Sequence, residues 1–394
     1  MSSDEKYNLI TRNLEEVLTE EELKALIDSK TPLKHYIGFE ISGKLHLGYL
    51  FTLLKVKDLQ DAGAETVIWL ADLHSAINDK LDGNIETIKR MANEYFKEAM
   101  KALFICIGGD PEKLIFKLTS ETYAQNPNFW LTLLEIGKTT TLARTKRSIT
   151  IMGREEPDDS VPTDKLFYPI MQAADIFLLG ANIAHAGIDQ RKVHVVARDA
   201  AMQVKTNPLK DIKGNQIKPI AIHHPILLSL TGPATTQVIR SKNGYEEGKV
   251  VGEELNIDEI AMRMKMSKSK PGSGIIIHDS PDQIRQSINQ AYAPEGQIEG
   301  NPILNWTKYL IFYSGTQGVS LQIQRDQKWG ENLEYTDYTT LEKDYAEKKL
   351  HPQDLKNAVS EWLIRKLEPA RIYFEDPKRK RALEEITTLT SRSS

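Results

Sequence analysis

Apolar residues fall into two rhythms along the first part of the chain: short unbroken runs, and longer stretches with helical spacing. Residues 35–40 (HYIGFE) read as a strand entered after Pro32, followed by a turn at 41–44 and a helical pattern over 46–62. Gly63 stands where a glycine closes a helix. Residues 65–73 form a strongly apolar strand that ends in Asp72 and His74. Helical spacing over 85–103 precedes a strand at 114–119; helices are then expected over 129–151 and 162–179. A strand at 183–186, a helix at 190–204 and a strand at 220–222 complete the series. Alternation of this kind predicts an α/β fold: a Rossmann-like parallel sheet with helices on both faces. Ligands in such sheets bind at the carboxyl ends of the strands, near a topological switch point.

The rhythm dissolves over 231–263, which reads as a long surface insertion. Beyond Pro281 the spacing is helical throughout, over 281–293, 302–314, 339–348, 352–368 and 377–390. The expected organisation is therefore an N-terminal helical arm (1–30), a Rossmann-fold catalytic domain (31–275) and a helical C-terminal domain (276–394).

Composition narrows the possibilities only a little. Hydrophobic residues at 40% and charged residues at 27% describe an ordinary soluble chain. The longest apolar runs fall well short of the roughly 20 residues a membrane span needs. The start, MSSDEKYNLI, lacks the apolar centre of a signal peptide. Cys106 is the single cysteine, which excludes an intrachain disulfide and fits a reducing cytoplasm. A net charge of −4 does not advertise nucleic-acid binding. Local basic patches at Arg144/Lys146/Arg147, 265–270 and 378–381 leave RNA possible, though each also reads as solvated surface.

Three groups of residues carry candidate chemistry. The first is the strand-turn-helix segment with Gly38, Gly43 and Gly48, where His46 sits at a helix N-terminus suited to a phosphate. The second is Met264-Lys265-Met266-Ser267-Lys268-Ser269-Lys270, flanked by Pro271 and Gly272. Lysines there could offset the charge that grows on a departing pyrophosphate. The third is Tyr168, Gln172 and Asp175, at i, i+4 and i+7 on one face of an otherwise apolar helix. Such polar groups are either a solvated stripe or the partners of a bound ligand, and spacing alone leaves both open.

HLGY at 46–49 followed by KMSKS at 265–269 resembles the paired HIGH and KMSKS signatures of class I aminoacyl-tRNA synthetases. The segments YIGFEISGKLHLG from Tyr36, YPIMQAAD from Tyr168, DQRKVH from Asp189 and LHPQDLK from Leu350 resemble the archaeal/eukaryotic tyrosyl-tRNA synthetases. The likeness implies a tyrosine–tRNA ligase that forms tyrosyl-adenylate from tyrosine and ATP with Mg²⁺, then charges tRNA(Tyr). It also implies a cytoplasmic homodimer with no membrane association, no protein-held metal and no tightly bound cofactor.

By that resemblance Tyr36 and Asp175 contact the phenol hydroxyl of tyrosine, while Tyr168, Gln172 and Gln190 hold its ammonium group. His46, Lys265 and Lys268 serve the phosphates, and Gly38, Glu40, Gly48, Met266, Ser267 and Ser269 complete the ATP site. Arg147, Arg191 and Lys192 lie toward the tRNA acceptor end, and His351 and Asp354 toward the anticodon. A buried carboxylate and hydroxyl satisfied only by a phenol would reject phenylalanine by about 10⁴–10⁵, a magnitude that comes from tyrosyl-tRNA synthetases themselves. Two positions depart from the pattern. Tyr49 stands where the signature has its second histidine, and Leu310 where the family often has an aromatic that stacks on the anticodon. Alternatives are a tryptophanyl-tRNA synthetase, a silent RNA-binding paralogue and an unrelated nucleotidylyltransferase.

Overall fold

The computed structural model describes residues 1–153, 160–232, 272–314, 319–325, 328 and 330–392, with the backbone of 240–241, 244–245, 248–250 and 253–255. The expected KMSKS segment at 265–269 lies outside the described residues, as does much of 231–263.

A six-stranded sheet organises the first part of the chain. Its strands are β1 (Glu16–Leu18), β2 (Lys34–Phe39), β3 (Glu65–Leu70), β4 (Ile115–Leu118), β5 (Ile183–Gly187) and β6 (Ile220–His224). Their spatial order is β1-β6-β5-β2-β3-β4, and every neighbouring pair is parallel except β1 with β6. The chain leaves β2 toward β3 and β4 on one side, then returns to place β5 and β6 on the other. The switch point is the β2/β5 boundary.

Period-two alternation assigns side chains to faces. From β2 and β3, Ile37, Ile68 and Leu70 join one apolar cluster, and Tyr36, Val67 and Trp69 join another. Helices Asn128–Thr139, Thr163–Leu178 and Arg191–Ala200 cover the Tyr36 face. Helices Leu47–Asp61 and Lys97–Cys106 cover the Ile37 face, and the same cluster runs without a break into the C-terminal helices.

Three expectations need correction. The N-terminal segment is not wholly helical, because β1 lies between helices Ser3–Thr11 and Glu20–Asp28 and extends the sheet edge. The region expected as one helix over 129–151 is broken after Thr139. Thr140, extended at ψ 124°, interrupts it, and the Thr141 hydroxyl caps a new start at Leu142 by accepting from the Arg144 N–H. The C-terminal part is mainly helical, at Pro281–Gln290, Pro302–Trp306, Tyr338–Ala346, Pro352–Tyr373 and Pro377–Arg392. It nevertheless contains an antiparallel pair, Leu321–Ile323 with Leu333–Tyr335.

Candidate active site

Residues gather where β2 and β5 end. On the Tyr36 face, helix Thr163–Leu178 buries Tyr168 and Asp175 and half-buries Gln172, so the three do not form a solvated stripe. Asp175 is only 1% exposed. Its Oδ1 accepts from the Tyr123 hydroxyl at 2.5 Å and its Oδ2 from the Trp69 indole N–H at 2.9 Å. His74 Nε2 lies 3.7 Å from Oδ2. Burial raises the Asp175 pKa well above the usual carboxylate range, while the two donated bonds and their aromatic owners pull the other way. Tyr36 is buried on the same face, and burial together with the Asp175 charge pushes its phenol pKa up. His74 stands edge-on to the Tyr168 ring at 4.8 Å, and burial lowers its pKa to about 4. This imidazole is neutral at physiological pH.

The opposite end of the slot is more polar. Tyr168 donates to Glu40 Oε1 at 2.9 Å, Asn78 donates to the same oxygen at 2.7 Å, and Lys80 Nζ lies 3.4 Å from Glu40 Oε2. Gln172 Nε2 donates to Gln190 Oε1 at 3.3 Å, and Gln190 Nε2 donates to the Ile151 carbonyl at 2.9 Å. Asp175 among aromatic side chains, with Glu40 and the paired amides of Gln172 and Gln190 nearby, suits a zwitterion carrying a polar-tipped aromatic ring.

His46 caps helix Leu47–Asp61. Its Nδ1 accepts from the Gly48 N–H at 3.1 Å, which leaves the ring proton on Nε2 in the neutral imidazole. A β-carbon at Gly48 would lie 2.8 Å from His46 Cε1. A side chain at position 48 would therefore displace the imidazole, a reason for glycine that the spacing of glycines does not reveal. Gly38 has Trp69 Cδ1 3.6 Å and Tyr36 Cε2 3.8 Å from the place of a β-carbon, so a side chain there would start in contact with both rings. Tyr49, at the second-histidine position, packs its ring against Phe39 at 5.4 Å and edge-on to Phe96 at 5.6 Å. Burial and nearby Glu40 raise its pKa, so it remains a neutral phenol.

The segment after the expected KMSKS loop is tied to this helix start. Leu47 N–H donates to the Ile275 carbonyl at 2.9 Å, and Ile277 N–H donates to the Leu45 carbonyl at 3.1 Å. His46 and Ile276 form the bridge between them. Residues far apart in sequence are thereby brought to one place.

A family model for tRNA synthetases class I (W and Y) matches residues 28–236 and 257–368. The chain belongs to this family. The tyrosine–tRNA ligase of Thermococcus sibiricus is 47% identical over 377 residues, which is 95% of this chain and 96% of that one. The crystal structure of tyrosyl-tRNA synthetase from Pyrococcus horikoshii, complexed with L-tyrosine, matches with a TM-score of 0.88 at 43% identity. That match covers 98% of this chain and 100% of the other. The Aeropyrum pernix tyrosyl-tRNA synthetase matches with a TM-score of 0.78 at 38% identity, over 98% of this chain and 99% of that one.

In this class I synthetase the remaining expected positions lie apart from the slot. Arg191 Nε donates to both Glu16 oxygens at 2.9 Å, Lys192 donates to the Thr150 hydroxyl at 3.1 Å, and Arg147 is exposed on helix Leu142–Ser148. His351 caps helix Pro352–Tyr373 by accepting from the Gln353 N–H at 3.2 Å, and Asp354 pairs with Arg325 at 3.3 Å. Leu310 is buried in the core, so this side chain is not placed to stack on a base. Lys265, Met266, Ser267, Lys268 and Ser269 lie outside the described residues. Sequence reasoning missed Trp69, Tyr123, His74, Asn78 and Lys80. Only His74 left a trace, as a polar residue at the end of an apolar strand.

Proposed function

We propose that this synthetase is a tyrosine–tRNA ligase, activating tyrosine with ATP and transferring it to the 3′ end of tRNA(Tyr). The observation that carries the substrate assignment is Asp175, buried near Tyr36 and held by Trp69 and Tyr123. A phenol O–H can donate to the carboxylate and accept from Tyr36. An indole or phenyl ring leaves at least one of these polar groups unsatisfied, at a cost of about 1–3 kcal/mol per group. Tyr168, Gln172 and Gln190 would hold the ammonium group and so aim the carboxylate toward His46.

In the first step a carboxylate oxygen of tyrosine bonds to the ATP α-phosphorus as the bond to the bridging oxygen breaks, and pyrophosphate leaves. No proton need move, so positioning and charge stabilisation carry the acceleration. His46 Nε2–H would donate to a phosphate oxygen, Gly38, Glu40 and Gly48 border the nucleotide, and Lys265 and Lys268 would neutralise the leaving group. Mg²⁺ would enter with the ATP phosphates. Arg147, Arg191 and Lys192 would meet the acceptor end of the tRNA, while the helical C-terminal part, through His351 and Asp354, would meet the anticodon. Its setting would be the cytoplasm, and no helix among the described residues is long and apolar enough to cross a membrane.

Exchange of labelled pyrophosphate into ATP tests the assignment. Tyrosine should support exchange, while tryptophan and phenylalanine should fail to at matched concentrations. Exchange driven by tryptophan instead would transfer the assignment to the sister specificity, and no exchange with any of them would leave a silent paralogue.

A homodimer is part of the same proposal. Helix Asn128–Thr139 exposes Trp130 by 53%, Leu131 by 52% and Leu134 by 59%, a contiguous apolar surface of the kind that marks an interface. Light scattering should give twice the chain mass, and Leu134→Asp should shift it toward the monomer. A wild-type protein that is monomeric at micromolar concentration would rule this out.

A further inference from the structure

The nucleotide-binding assignment rests on His46 and the loop before it, and that loop is held from behind by the end of the chain. Gly43 has φ +119°, a backbone conformation L side chains rarely adopt, and a β-carbon there would lie 2.9 Å from Thr390 Oγ1 and 3.2 Å from its Cγ2. Thr390 therefore fills the space a side chain at position 43 would occupy. It sits near the end of helix Pro377–Arg392, which docks through buried Ala382 and Ile386 and through the ion pair of Glu385 with Arg90. The start of that helix is fastened too. Arg379 Nε donates to Glu98 at 2.9 Å and its guanidinium lies 3.8 Å from the Tyr373 ring centre.

Phe374, at the end of the preceding helix, supports two residues that border the loop. The Phe374 ring packs on His278 at 4.5 Å and on Tyr95 at 5.8 Å. The Tyr95 hydroxyl accepts from the Leu45 N–H at 3.1 Å and lies 3.0 Å from His278 Nε2. Tyr95 thus joins the loop carrying His46 to the strand-like stretch that follows the expected KMSKS segment. Phe374 reaches the loop through Tyr95 and Leu45, Thr390 meets it at Gly43, and both lie beyond residue 368, where the family match ends.

We propose that the C-terminal segment from Phe374 to Thr390 is a brace that positions the 41–46 loop, and with it His46, for the triphosphate of ATP. Its residues touch no substrate; Thr390 and Phe374 are positioning residues. Helix docking fixes where Thr390 stands, Thr390 limits how far Gly43 can retreat, and Tyr95 holds Leu45. A shift of about 1 Å at His46 can cost as much as a hundredfold in a reaction that depends on alignment. Tyr36, Trp69, Tyr123 and Tyr168 of the tyrosine site belong to the apolar cluster on one face of the sheet, whereas Phe374, Ala382 and Ile386 belong to the cluster on the other. The affinity for tyrosine should not respond.

The proposal rests on ATP binding at His46, so the test includes that residue. Steady-state pyrophosphate exchange on the full-length enzyme gives separate KM values for ATP and tyrosine. Thr390→Phe, which drives bulk into Gly43, and Ile386→Ala, which loosens helix docking, should each raise the ATP KM about tenfold. Both should leave the tyrosine KM within about twofold, and exposed Thr388→Ala should change neither. His46→Ala should raise the ATP KM at least as much. If it does and both brace variants match the wild type, the brace is wrong while the ATP site stands. If His46→Ala is silent, both ideas fall. Parallel rises in the two KM values would make the segment a general stabiliser and overturn the proposal.

Discussion

Asp175 illustrates how a site can work against the stability of the fold that carries it. Its carboxyl is held by Tyr123 and Trp69, yet burial dominates and raises its pKa. A carboxyl with a raised folded-state pKa binds more protons in the native than in the unfolded chain over the window between the two values. Its contribution to stability therefore falls as pH rises from about 4 through the folded pKa, by about 1.4 kcal/mol for each unit of the rise. Asparagine keeps the shape, offers an oxygen to the indole N–H and does not titrate. Asp175→Asn should melt higher than the wild type at pH 8 by more than it does at pH 5, while losing tyrosine-dependent exchange. Thermal melts at the two pH values decide it. A variant equally less stable at both would mean that packing, not charge burial, governs the position.

At the scale of the element, helix Leu47–Asp61 begins with an unusual cap. An imidazole accepts the Gly48 N–H, and the ring occupies the place of a β-carbon. Gly48→Ala brings two opposing effects. Alanine favours helix over glycine by up to about 1 kcal/mol, and the displaced cap costs about 1 kcal/mol. Stability should barely change. The displaced ring, however, can no longer direct Nε2 as before, so the ATP KM should rise severalfold at an unchanged melting temperature. An unchanged ATP KM would separate His46 from the nucleotide. Much at this scale was legible in the sequence: a continuous apolar run marks β3, short mostly apolar stretches mark β2 and β5, and the 3.6-residue rhythm marks the covering helices. β1 was not legible, because three half-buried residues at a sheet edge carry no alternation, and only pairing with β6 makes them a strand. The stripe of Tyr168, Gln172 and Asp175 could be read from spacing, but Trp69 and Tyr123 could not. They come from β3 and from helix Thr119–Gln125, and only the closed fold sets them against the same carboxylate.

Across the whole molecule, one buried carboxylate ties three parts of the chain together. Asp58, near the end of the helix that His46 begins, accepts from Arg12 Nε at 2.8 Å, Lys55 Nζ at 3.1 Å and the Tyr313 hydroxyl at 2.6 Å. Lys55 in turn donates to the carbonyls of Leu9, Ile10 and Arg12, at the end of helix Ser3–Thr11. Asn13 reaches the Tyr313 carbonyl at 2.5 Å. The N-terminal arm, the sheet-covering helix and the C-terminal helices are thus joined by charge as well as by the continuous apolar core. Removing one partner of a buried ion pair costs about 3–5 kcal/mol, since the remaining charge stays in place without its counterion. Asp58→Ala should destabilise the protein by roughly that amount in urea unfolding at pH 6.5. The pH dependence identifies the cause. Burial lowers the Lys55 pKa to about 8, and Asp58 is the charge that opposes the fall. A lysine with a depressed folded-state pKa binds fewer protons in the native chain, so its contribution to stability rises with pH from that value up to its unfolded value of about 10.4. Without Asp58 the folded pKa drops further, and the rise begins at lower pH. The gap between Asp58→Ala and wild type should therefore narrow between pH 6.5 and pH 9 as Lys55 sheds its proton. A gap that is the same at both pH values would show that the lost Tyr313 and Arg12 contacts, rather than the stranded ammonium, account for the cost.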